Sequence, residues 1–343
     1  MRVLAAMSGG VDSSVTAALL LEHGHEVAGA TLKLWGGASD SGCCSVADVE
    51  DARRVAQQLG VEHWVFNFTS DFEDRVVGPY AAAHAAGRTP NPCVECNRHL
   101  KFDRLLRRAR QLGFDAVATG HHARVRPGDD GRYRLLRGAD RSKDQSYVLH
   151  MLGQAELARC LFPVGEMTKS EVRERARALG LRTADKPDSQ DVCFVTATGG
   201  RAAFLGPRIG LRPGRVVDTD GAEVGRVDAV ELVTVGQRRG LGGGGGDRRY
   251  ALSVDSATAT VVAGSLSDLL VDSVALSGLT WTRGRPPADG TPVLAQCSAH
   301  GRALEATLEG SVLRFAERQR RVAPGQSVVL YRGDEVLGGG TAA

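Results

Sequence analysis

Apolar and polar residues alternate in two different ways along this chain of 343 residues. In the first half, short apolar runs such as 2–8 (RVLAAMS) and 114–122 (FDAVATGHH) take turns with helical patterns such as 12–23 and 45–59. Strands that alternate with helices in this way are typical of a doubly wound parallel sheet. We therefore predict an α/β domain over residues 1–204.

The predicted helices carry capping residues at their ends. Ser45 precedes a helix that has Asp48 at its third position, and Thr168 stands in the same relation to Glu171. In such a capping box each side chain bonds a backbone N–H that would otherwise lack a partner. Gly60 follows the first of these helices, and glycine often occupies the position after a helix ends. These residues indicate where two helices of the α/β domain begin.

The second half has a different pattern. Short β-branched runs replace the helical segments, among them ELVTVGQ (231–237), YALSVD (250–255) and TPVLAQCS (291–298). Short strands at close spacing favour small barrels or sandwiches. We predict a small β-rich bridging domain over 205–268 and a C-terminal β-barrel over 269–343.

Composition narrows the class of protein. The chain has seven cysteines, an odd number, and its start MRVLAAMSGG has no long apolar segment, so we expect a reduced, soluble, cytoplasmic protein with no membrane partner. The formal net charge is only +3, but segment 98–110 (RHLKFDRLLRRAR) is strongly basic. Such a segment suits a phosphate backbone. The competing interpretation is a solvated helix face whose arginine stems pack on neighbours.

The heptapeptide SGGVDSS, residues 8–14, follows the first predicted strand and opens a helix. A glycine-rich turn at that junction presents backbone N–H groups to an anion. The hydroxyls of Ser8, Ser13 and Ser14 add donors, and Asp12 can orient Mg²⁺ or released pyrophosphate. The G-x4-G-K-[ST] motif is absent from the sequence. The string instead resembles the PP-loop of ATP pyrophosphatases, which cleave ATP between the α and β phosphates.

A second segment, ATGHHA at 118–123, lies at the end of a later predicted strand. Open α/β sheets place ligand contacts at this edge. We expect Gly120 to let a nucleotide approach closely and His121 to face the crevice, although a histidine taken alone is more often a packed or capping residue.

The cysteine spacing leaves several chemistries open. Cys93 and Cys96 form a C-x2-C pair, which can hold zinc, run a dithiol switch, share a metal cluster or place one catalytic thiol. Zinc needs four ligands, and the sequence has no second pair of this kind. Cys193 lies in the strand-like run DSQDVCFV and would join Cys96 in persulfide chemistry if the two meet across the crevice. We expect ordinary packing or loop roles for Cys43, Cys44, Cys160 and Cys297.

Eight motifs, in this order, resemble the tRNA 2-thiouridylase family of PP-loop enzymes, which have an adenine nucleotide alpha hydrolase-like fold. They are SGGVDSS, NPCVECNRHLKF, ATGHHARV, SKDQSYVL, FPVGEMTKSEVR, DSQDVCFV, TVGQRRGLG and VAPGQSVVLYRGDEVLGGG. Together they span nearly the whole chain, whereas SGGVDSS alone would indicate only the PP-loop superfamily.

The resemblance implies roles for individual residues. It makes Cys96 the catalytic nucleophile and Cys193 the carrier of a persulfide, with Asp12 in the catalytic set. The implied ATP contacts are Ala6, Met7, Ser8, Gly9, Gly10, Val11, Asp12, Ser13, Leu32 and Gly120. The implied tRNA contacts are Asn91, Pro92 and Cys93 at the target base, with His121, Lys143, Asp144, Gln145, Ala299, His300 and Gln326 elsewhere. Many members carry Asp in place of Cys93, and some carry an Arg–Tyr pair in place of Ala299 and His300.

The implied reaction transfers sulfur to the wobble uridine, U34, of tRNA. ATP, with Mg²⁺ at its phosphates, would adenylate the C2 oxygen of the flipped base. Sulfur from a Cys193 persulfide would then replace AMP, and Cys96 would release sulfide or close a Cys96–Cys193 disulfide. A cysteine desulfurase or a sulfur-relay protein would supply the persulfide. In the alternative chemistry, Cys93, Cys96 and Cys193 hold three irons of a [4Fe–4S] cluster whose fourth iron carries sulfide.

Two further classes of protein compete with this interpretation. One is a PP-loop ligase that adenylates a small molecule, and the paired cysteines and basic segment disfavour it. The other is a non-catalytic tRNA-binding or sulfur-carrier module, which the intact SGGVDSS string disfavours.

Overall fold

The computed structural model describes residues 1–35, 45–188, 192–242 and 248–343. Cys43, Cys44 and residues 189–191 of the DSQDVCFV run lie outside these ranges.

The first half of the chain folds around a parallel sheet, which confirms the predicted α/β class. The strands in this half of the chain are β1 (Arg2–Ala6), β2 (Glu26–Lys33), β3 (His63–Asn67), β4 (Ala116–Ala118), β5 (Ala123–Pro127), β6 (Tyr133–Arg137) and β7 (Cys160–Leu161). The sheet has the order β3-β2-β1-β4-β7, and each of these pairings is parallel. Strands β5 and β6 form an antiparallel hairpin that belongs to another sheet.

Helices cover both faces of the parallel sheet. They are α1 (Val11–Glu22), α2 (Val46–Gln58), α3 (Thr69–Phe72), α4 (Gly78–Ala85), α5 (Pro92–Cys96), α6 (Leu105–Gln111), α7 (Gln154–Leu157), α8 (Lys169–Ala178), α9 (Cys193–Ala197) and α10 (Arg201–Leu205). Segments Glu73–Val77 and Asn97–Arg104 are π-helical, and Ser146–Leu149 and Pro163–Glu166 are 3₁₀ turns. The predicted basic helix is therefore a π-helical segment continued by α6.

The apolar run of β1 explains this layered arrangement. Val3, Leu4 and Ala5 are fully buried, and successive side chains point to opposite faces of a strand. Leu4 belongs to the core on one face of the sheet, whereas Val3 and Ala5 belong to the core on the other, with Val15 of α1. A strand buried on both faces is what a continuous apolar run indicates.

The predicted capping boxes are confirmed. The Ser45 hydroxyl accepts a hydrogen bond from the Asp48 N–H at 3.1 Å, and the Asp48 carboxylate accepts one from the Ser45 N–H at 3.3 Å. Thr168 and Glu171 make the same reciprocal pair at the start of α8. Gly60 has a φ of +70°, the left-handed conformation that glycine adopts without strain.

The middle of the chain forms a small sheet of order β10-β11-β8-β9. Its elements are β8 (Gly214–Val217), β9 (Glu223–Val227), β10 (Tyr250–Asp255), β11 (Thr260–Gly264) and helix α11 (Leu266–Leu269). The strand predicted at ELVTVGQ is wrong, because Val230–Leu232 is a 3₁₀ turn. The buried carboxylate of Glu231 accepts hydrogen bonds from the backbone and guanidinium of Arg212, and these bonds hold the segment in a turn rather than a ladder.

The last part of the chain is a closed antiparallel barrel, as predicted. Its strands are β12 (Leu270–Trp281), β13 (Thr291–Gln296), β14 (Leu304–Glu309), β15 (Val312–Arg320), β16 (Ser327–Arg332) and β17 (Glu335–Ala342). They follow the order β12-β15-β14-β13-β16-β17, and a pairing of β12 with β17 closes the ring. Hairpin β5–β6 extends this sheet by pairing with β17, so the first half of the chain and the barrel share one hydrogen-bonded sheet.

None of the described helices combines the length and the apolar character needed to span a membrane.

Candidate active site

The strand order places the two predicted nucleotide segments together. β1 lies between β2 and β4, and the chain leaves β1 toward β2 but later returns to β4 on its other side. The carboxyl ends of such neighbouring strands border a crevice at the point where the strand order reverses. The phosphate loop, residues 8–14, follows β1, and Gly120 follows β4. Leu32 is buried near the end of β2 at the same edge.

The phosphate loop is held by its own hydroxyls and by one glycine. The Ser13 hydroxyl accepts a hydrogen bond from the Ser8 N–H at 3.2 Å and donates one to the Gly10 carbonyl at 3.0 Å. Gly9 has a φ of +71°, and a Cβ there would lie 2.3 Å from the Asp48 carbonyl oxygen. Glycine at this position is therefore required both by the backbone conformation and by the closeness of α2.

Gly120 is required for a related reason. A Cβ on Gly120 would lie 2.7 Å from the Ser13 nitrogen and 2.8 Å from the Asp12 carbonyl carbon. The segment after β4 thus rests directly on the first turn of α1. This contact explains the glycine, and the predicted contact of Gly120 with ATP stays a prediction.

The two histidines after Gly120 have different surroundings. His121 is buried between Phe102 and Phe162, and its ring nitrogen lies 2.6 Å from the Thr119 hydroxyl. The ring is therefore packed in the interior, whereas the sequence predicted that it faces the crevice. Burial, with Lys101 nearby, holds the pKa of His121 well below its usual value. The neighbouring His122 is the histidine whose ring reaches the phosphate loop, at 3.2 Å from an Asp12 oxygen.

Asp12 is held by Lys169 and His122, two residues that the sequence did not single out. Lys169 Nζ lies 2.7 Å from both Asp12 carboxylate oxygens. Burial opposes ionisation of Asp12, but the hydrogen bonds of His122 and Lys169 outweigh it and lower the pKa of the carboxyl below its usual value. Asp12 is therefore ionised at neutral pH and bonded within the protein.

A second lysine, Lys186, ties the loop to α2. Its ammonium donates to the Gly9 carbonyl at 3.0 Å, to Asp48 at 2.6 Å and to Asp51 at 2.8 Å. Sequence reasoning assigned neither lysine to the phosphate loop, and it placed Lys186 beside the thiols instead. A signal existed for Lys169, because a lysine at the first position of a helix is unfavourable next to the positive end of the helix dipole unless an anion lies close by.

The C-x2-C pair lies on the short helix α5. The side chain of Asn91 caps this helix by accepting a hydrogen bond from the Cys93 N–H at 3.0 Å, and buried Pro92 is its first residue. Cys93 Sγ accepts a hydrogen bond from the Val192 N–H at 3.4 Å. The contact brings the C-x2-C helix against the residue next to Cys193.

The expected strand around Cys193 is wrong, since Cys193 begins helix α9. Val192 has a φ of 51°, which is uncommon for a β-branched residue and marks local strain at the start of this helix. Phe194 is buried in a cluster of aromatic rings formed with Trp35, Phe72, Tyr80 and Phe204. The cluster fixes Cys193 in place through its neighbour, a role that sequence reasoning did not assign to Phe194.

Electrostatics connect the three thiols. Burial raises the pKa of Cys96 to about 12, Lys101 acts in the opposite direction, and the thiols of Cys193 and Cys93 raise it further. Cys96 is therefore close to both of the other cysteines and is a neutral thiol at physiological pH. A thiolate forms only when a proton acceptor or added positive charge is supplied.

Cys160 and Cys297 have the surroundings expected of packing residues. Cys160 is buried in β7, and Cys297 packs against the barrel core. Burial raises the pKa of both thiols, to about 12 for Cys297.

The barrel supports the loop that leads into α5. The Thr89 N–H donates to the Pro324 carbonyl at 2.7 Å, next to the half-buried Gln326. The Tyr147 hydroxyl donates to the Ser327 carbonyl at 2.7 Å and hydrogen-bonds the side chain of Asn91. The predicted base contacts and the predicted tRNA contact Gln326 thus adjoin one another, although they are distant in sequence.

Other predicted tRNA contacts line a groove between hairpin β5–β6, its following loop and the barrel. This groove is a cavity of about 630 Å³, and its walls include Asp144, Ala299 and His300. Within it, the Arg137 guanidinium stacks on the Tyr331 ring at 3.6 Å and donates to Asp144 at 2.7 Å. The Asp144 carboxylate also accepts hydrogen bonds from Gly138 and Ser146, so it shapes the loop from inside.

Lys143 and Gln145, which flank Asp144, are exposed and point to the crevice side. The Lys143 ammonium lies 2.9 Å from Asp188. The Gln145 side chain accepts a hydrogen bond from the His122 N–H at 3.0 Å. Loop 143–145 is therefore attached to the segments that border the phosphate loop.

The basic segment lies beside the edge strand β3. Arg104 and Arg108 stack over Phe68 and Phe66, at 5.6 and 5.7 Å from the ring centroids. Arg107 is exposed and pairs with Asp103 at 2.6 Å, one helical turn away. Both interpretations of the basic segment apply in part, because the arginine stems pack on rings while their charges remain at the surface.

The family resemblance implies two metal groups, Mg²⁺ near Asp12 and an iron–sulfur cluster at the thiols. Both Asp12 oxygens are bonded to Lys169, so this carboxylate does not fit a Mg²⁺ ligand in the present arrangement. Within the described parts of the chain, no three His, Cys, Asp or Glu side chains converge as a metal-binding group. Cys93, Cys96 and Cys193 are neighbours but do not form a ready ligand set for a cluster.

Comparison with family models covers the chain in three parts. The tRNA methyl transferase HUP domain matches residues 1–197, the tRNA methyl transferase PRC-barrel domain matches 202–265, and the aminomethyltransferase beta-barrel domain matches 271–342.

Relatives match over their full length. The chain is 49% identical over 351 residues to the tRNA-specific 2-thiouridylase MnmA of Chloroflexus aurantiacus strain J-10-fl, covering 99% of this chain and 98% of that protein. It is 47% identical over 355 residues to the MnmA of Mycobacteroides abscessus, covering 98% of each. Among solved structures, a 4-thiouridine synthetase–RNA complex with bound ATP is 19% identical, with a TM-score of 0.38, and covers 59% of this chain and 46% of its own.

Proposed function

The chain belongs to the tRNA-specific 2-thiouridylase family, and from this membership we propose that it transfers sulfur to C2 of the wobble uridine of tRNA at the expense of ATP. One observation supports this function most. The phosphate loop is joined to loop 143–145 by direct contacts through His122 and Lys169, and the Cys93–Cys96 helix contacts Val192, the residue before Cys193.

The first step is adenylation of the base. U34 is flipped into the crevice, and its C2 oxygen attacks the α-phosphate of ATP, so that an O–P bond forms while the bond to the β-phosphate breaks. Pyrophosphate leaves with the electron pair. The backbone N–H groups and serine hydroxyls of the phosphate loop bind the charge on the phosphates. Asn91, Pro92 and Cys93 hold the base, and Gly120 and Leu32 border the nucleotide.

The second step transfers sulfur. The terminal sulfur of a Cys193 persulfide attacks C2, and AMP leaves. The Cys96 thiolate then attacks Sγ of Cys193, which breaks the S–S bond, leaves the sulfur on the base and forms a Cys96–Cys193 disulfide. Because the pKa of Cys96 is about 12, its proton must be removed as it attacks, and Lys101 stabilises the charge that develops. An external thiol reductant restores the two thiols.

The partners follow from this chemistry. A cysteine desulfurase or a sulfur-relay protein delivers the persulfide to Cys193, and the exposed Lys143, Gln145 and His300 contact tRNA beyond the target base. The reaction takes place in the cytoplasm, where tRNA and ATP are available to a tRNA-modifying enzyme.

Mass spectrometry of tRNA tests the proposed function. An unmodified tRNA transcript with U34 is incubated with ATP, Mg²⁺, a cysteine desulfurase and cysteine, and the nucleosides are analysed. We expect 2-thiouridine at position 34 with the wild type and with the control Cys297→Ala, and none with Cys96→Ala or Cys193→Ala. Pyrophosphate release that does not depend on tRNA, with no 2-thiouridine, would contradict the proposal.

The cluster chemistry is distinguished by a separate experiment. The protein is reconstituted anaerobically with iron and sulfide, and iron-dependent absorption is compared between the wild type and Cys93→Ala. The persulfide reaction predicts full thiolation by Cys93→Ala and no dependence on iron. Loss of thiolation together with loss of iron absorption in this variant would favour the cluster.

A further inference from the structure

A continuous series of ion pairs runs from the phosphate loop to loop 143–145. Lys169 Nζ bonds both oxygens of Asp12 at 2.7 Å and also lies 2.9 Å from Asp188 Oδ1. The other Asp188 oxygen lies 2.9 Å from Lys143 Nζ. Arg173 donates to Asp188 as well, at 2.8 Å. Asp188 is therefore shared between the lysine at the ATP side and the lysine at the RNA side.

Lys169 has the contacts of a positioning residue. Its side chain is only 12% exposed, and an ammonium has three N–H donors. The two Asp12 oxygens and Asp188 provide three acceptors for them. All three N–H donors of Lys169 therefore have acceptors, and they hold the carboxylates of Asp12 and Asp188, from different segments, at a fixed separation.

Lys143 has the opposite character. Its side chain is 42% exposed, and Asp188 is the acceptor that its ammonium reaches among the described residues. Two of its N–H donors remain for an RNA phosphate. Lys143 can bind RNA while it keeps its bond to Asp188, so the ion-pair series persists in the RNA complex.

A second connection runs parallel to the first. The Gln145 side chain accepts a hydrogen bond from the His122 N–H at 3.0 Å, and the Gln145 N–H donates to the His122 carbonyl at 2.9 Å. The His122 ring contacts Asp12 at 3.2 Å. Loop 143–145 and Asp12 are therefore joined through two routes that form a ring of contacts.

We propose that Lys169 and Asp188 are positioning residues that link RNA binding at loop 143–145 to ATP binding at the phosphate loop. The inference rests on the proposed function, because it takes tRNA and ATP as the two ligands. A ligand at either end holds its own loop, and the ion pairs hold the other loop with it, so the second ligand binds with a smaller ordering cost. The two affinities must then rise by the same factor.

Calorimetry measures this linkage without turnover. The dissociation constant of α,β-methylene ATP, which cannot release pyrophosphate, is measured with the full chain alone and at saturating unmodified tRNA. We expect tRNA to tighten analogue binding about fivefold in the wild type, which is within the usual range for linked sites. In Asp188→Asn the factor should fall to about twofold, since the contacts of Gln145 with His122 remain. The control Asp185→Asn, an aspartate that is 79% exposed and pairs with Arg177, should keep the wild-type factor.

A variant at the exposed Lys143 keeps the test valid if Asp188→Asn fails to fold. Lys143→Met should likewise lower the factor to about twofold at saturating tRNA, and Lys143→Arg, which keeps a cation toward Asp188, should keep the wild-type factor. The inference would be overturned if tRNA did not change the affinity of the wild type for the analogue, or if Lys143→Met kept the full wild-type factor. Thiolation by the wild type without linkage counts against this inference alone, whereas linkage without thiolation supports it and counts against the proposed function.

Discussion

The phosphate loop and the cysteine site are built in different ways. The phosphate loop consists of consecutive residues whose hydroxyls bond carbonyls and N–H groups a few positions away, as Ser13 does with Ser8 and Gly10. The cysteine site joins Cys96 and Cys193 from distant segments. Its supports are the aromatic cluster around Phe194 and the barrel turn that holds Thr89. A local motif therefore makes the first site, and long-range packing makes the second.

The pKa shifts in the two sites also differ, and they have opposite directions relative to ionisation. Asp12 in the phosphate loop has a lowered pKa because His122 and Lys169 outweigh its burial. Cys96 has a raised pKa because burial outweighs Lys101. The Asp12 carboxylate is thus ionised at neutral pH and bonded to Lys169, whereas the Cys96 thiol stays protonated. This contrast suggests that substitutions will affect the two sites separately.

The largest effect is expected from Gly9→Ala. The new Cβ would lie 2.3 Å from the Asp48 carbonyl oxygen at a φ of +71°, so the loop or α2 must move. We expect roughly 3 kcal/mol of lost stability and a roughly 100-fold loss of ATP affinity, measured by urea unfolding and calorimetry. Gly24→Ala is the matched control, since Gly24 has a φ of +75° with no atom within 4 Å among the described residues. It should cost about 1 kcal/mol and leave ATP binding intact; equal effects of the two variants would show that the backbone conformation alone matters.

Tyr147→Phe should damage the cysteine site and spare the phosphate loop. The variant removes the hydroxyl that donates to the Ser327 carbonyl and contacts Asn91, which leaves a buried carbonyl without its donor. A loss of about 1.4 kcal/mol corresponds to about a tenfold lower kcat/KM for tRNA. ATP affinity should stay unchanged, and Tyr133→Phe on hairpin β5–β6 serves as the control. A parallel loss of ATP affinity would refute the separation of the two sites.

Lys101→Met should make the Cys96 thiol less reactive. Since the thiolate is the nucleophile and the pKa of Cys96 is about 12, its alkylation rate should rise about tenfold per pH unit from pH 8 to 10, without levelling. Removing Lys101 raises this pKa further and should slow alkylation about fivefold at each pH. Mass spectrometry of the Cys96 peptide after iodoacetamide treatment measures the rate, and Arg110→Met is the control. A plateau near pH 8 would mean that Cys96 ionises far more readily than its burial indicates.

The smallest effect is expected from Arg107→Glu. Arg107 is exposed on the basic segment, and its ion-pair partner Asp103 lies one helical turn away. If this face meets RNA, binding should weaken roughly threefold at low salt, and the salt dependence should drop by about one released counterion. Arg53→Glu on α2 tests whether any change of surface charge has the same result. Unchanged affinity at low salt would refute the basic segment as an RNA surface.

The sequence predicted those parts of the molecule that depend on neighbouring residues. The α/β class, the capping boxes at Ser45 and Thr168 and the closed barrel were all predicted correctly. Each rests on periodicity or on contacts within one helix turn or one hairpin. Prediction failed at ELVTVGQ and around Cys193, where long-range contacts of Glu231 and Phe194 override the local β-branched pattern.

By itself, the sequence determined the layered fold and the shape of the phosphate loop. The spacing of apolar residues within each strand and helix is enough to predict the layers, and hydrogen bonds between nearby residues are enough to shape the loop. The tertiary structure alone decided that Lys169 bonds Asp12, that Val192 contacts Cys93, and that hairpin β5–β6 joins the barrel sheet. These contacts link residues from distant segments, and only the packing of the whole chain sets the distances over which charges and thiols act. The physical reason is that Coulomb forces and hydrogen bonds depend on separation in space, which the order of residues does not encode locally.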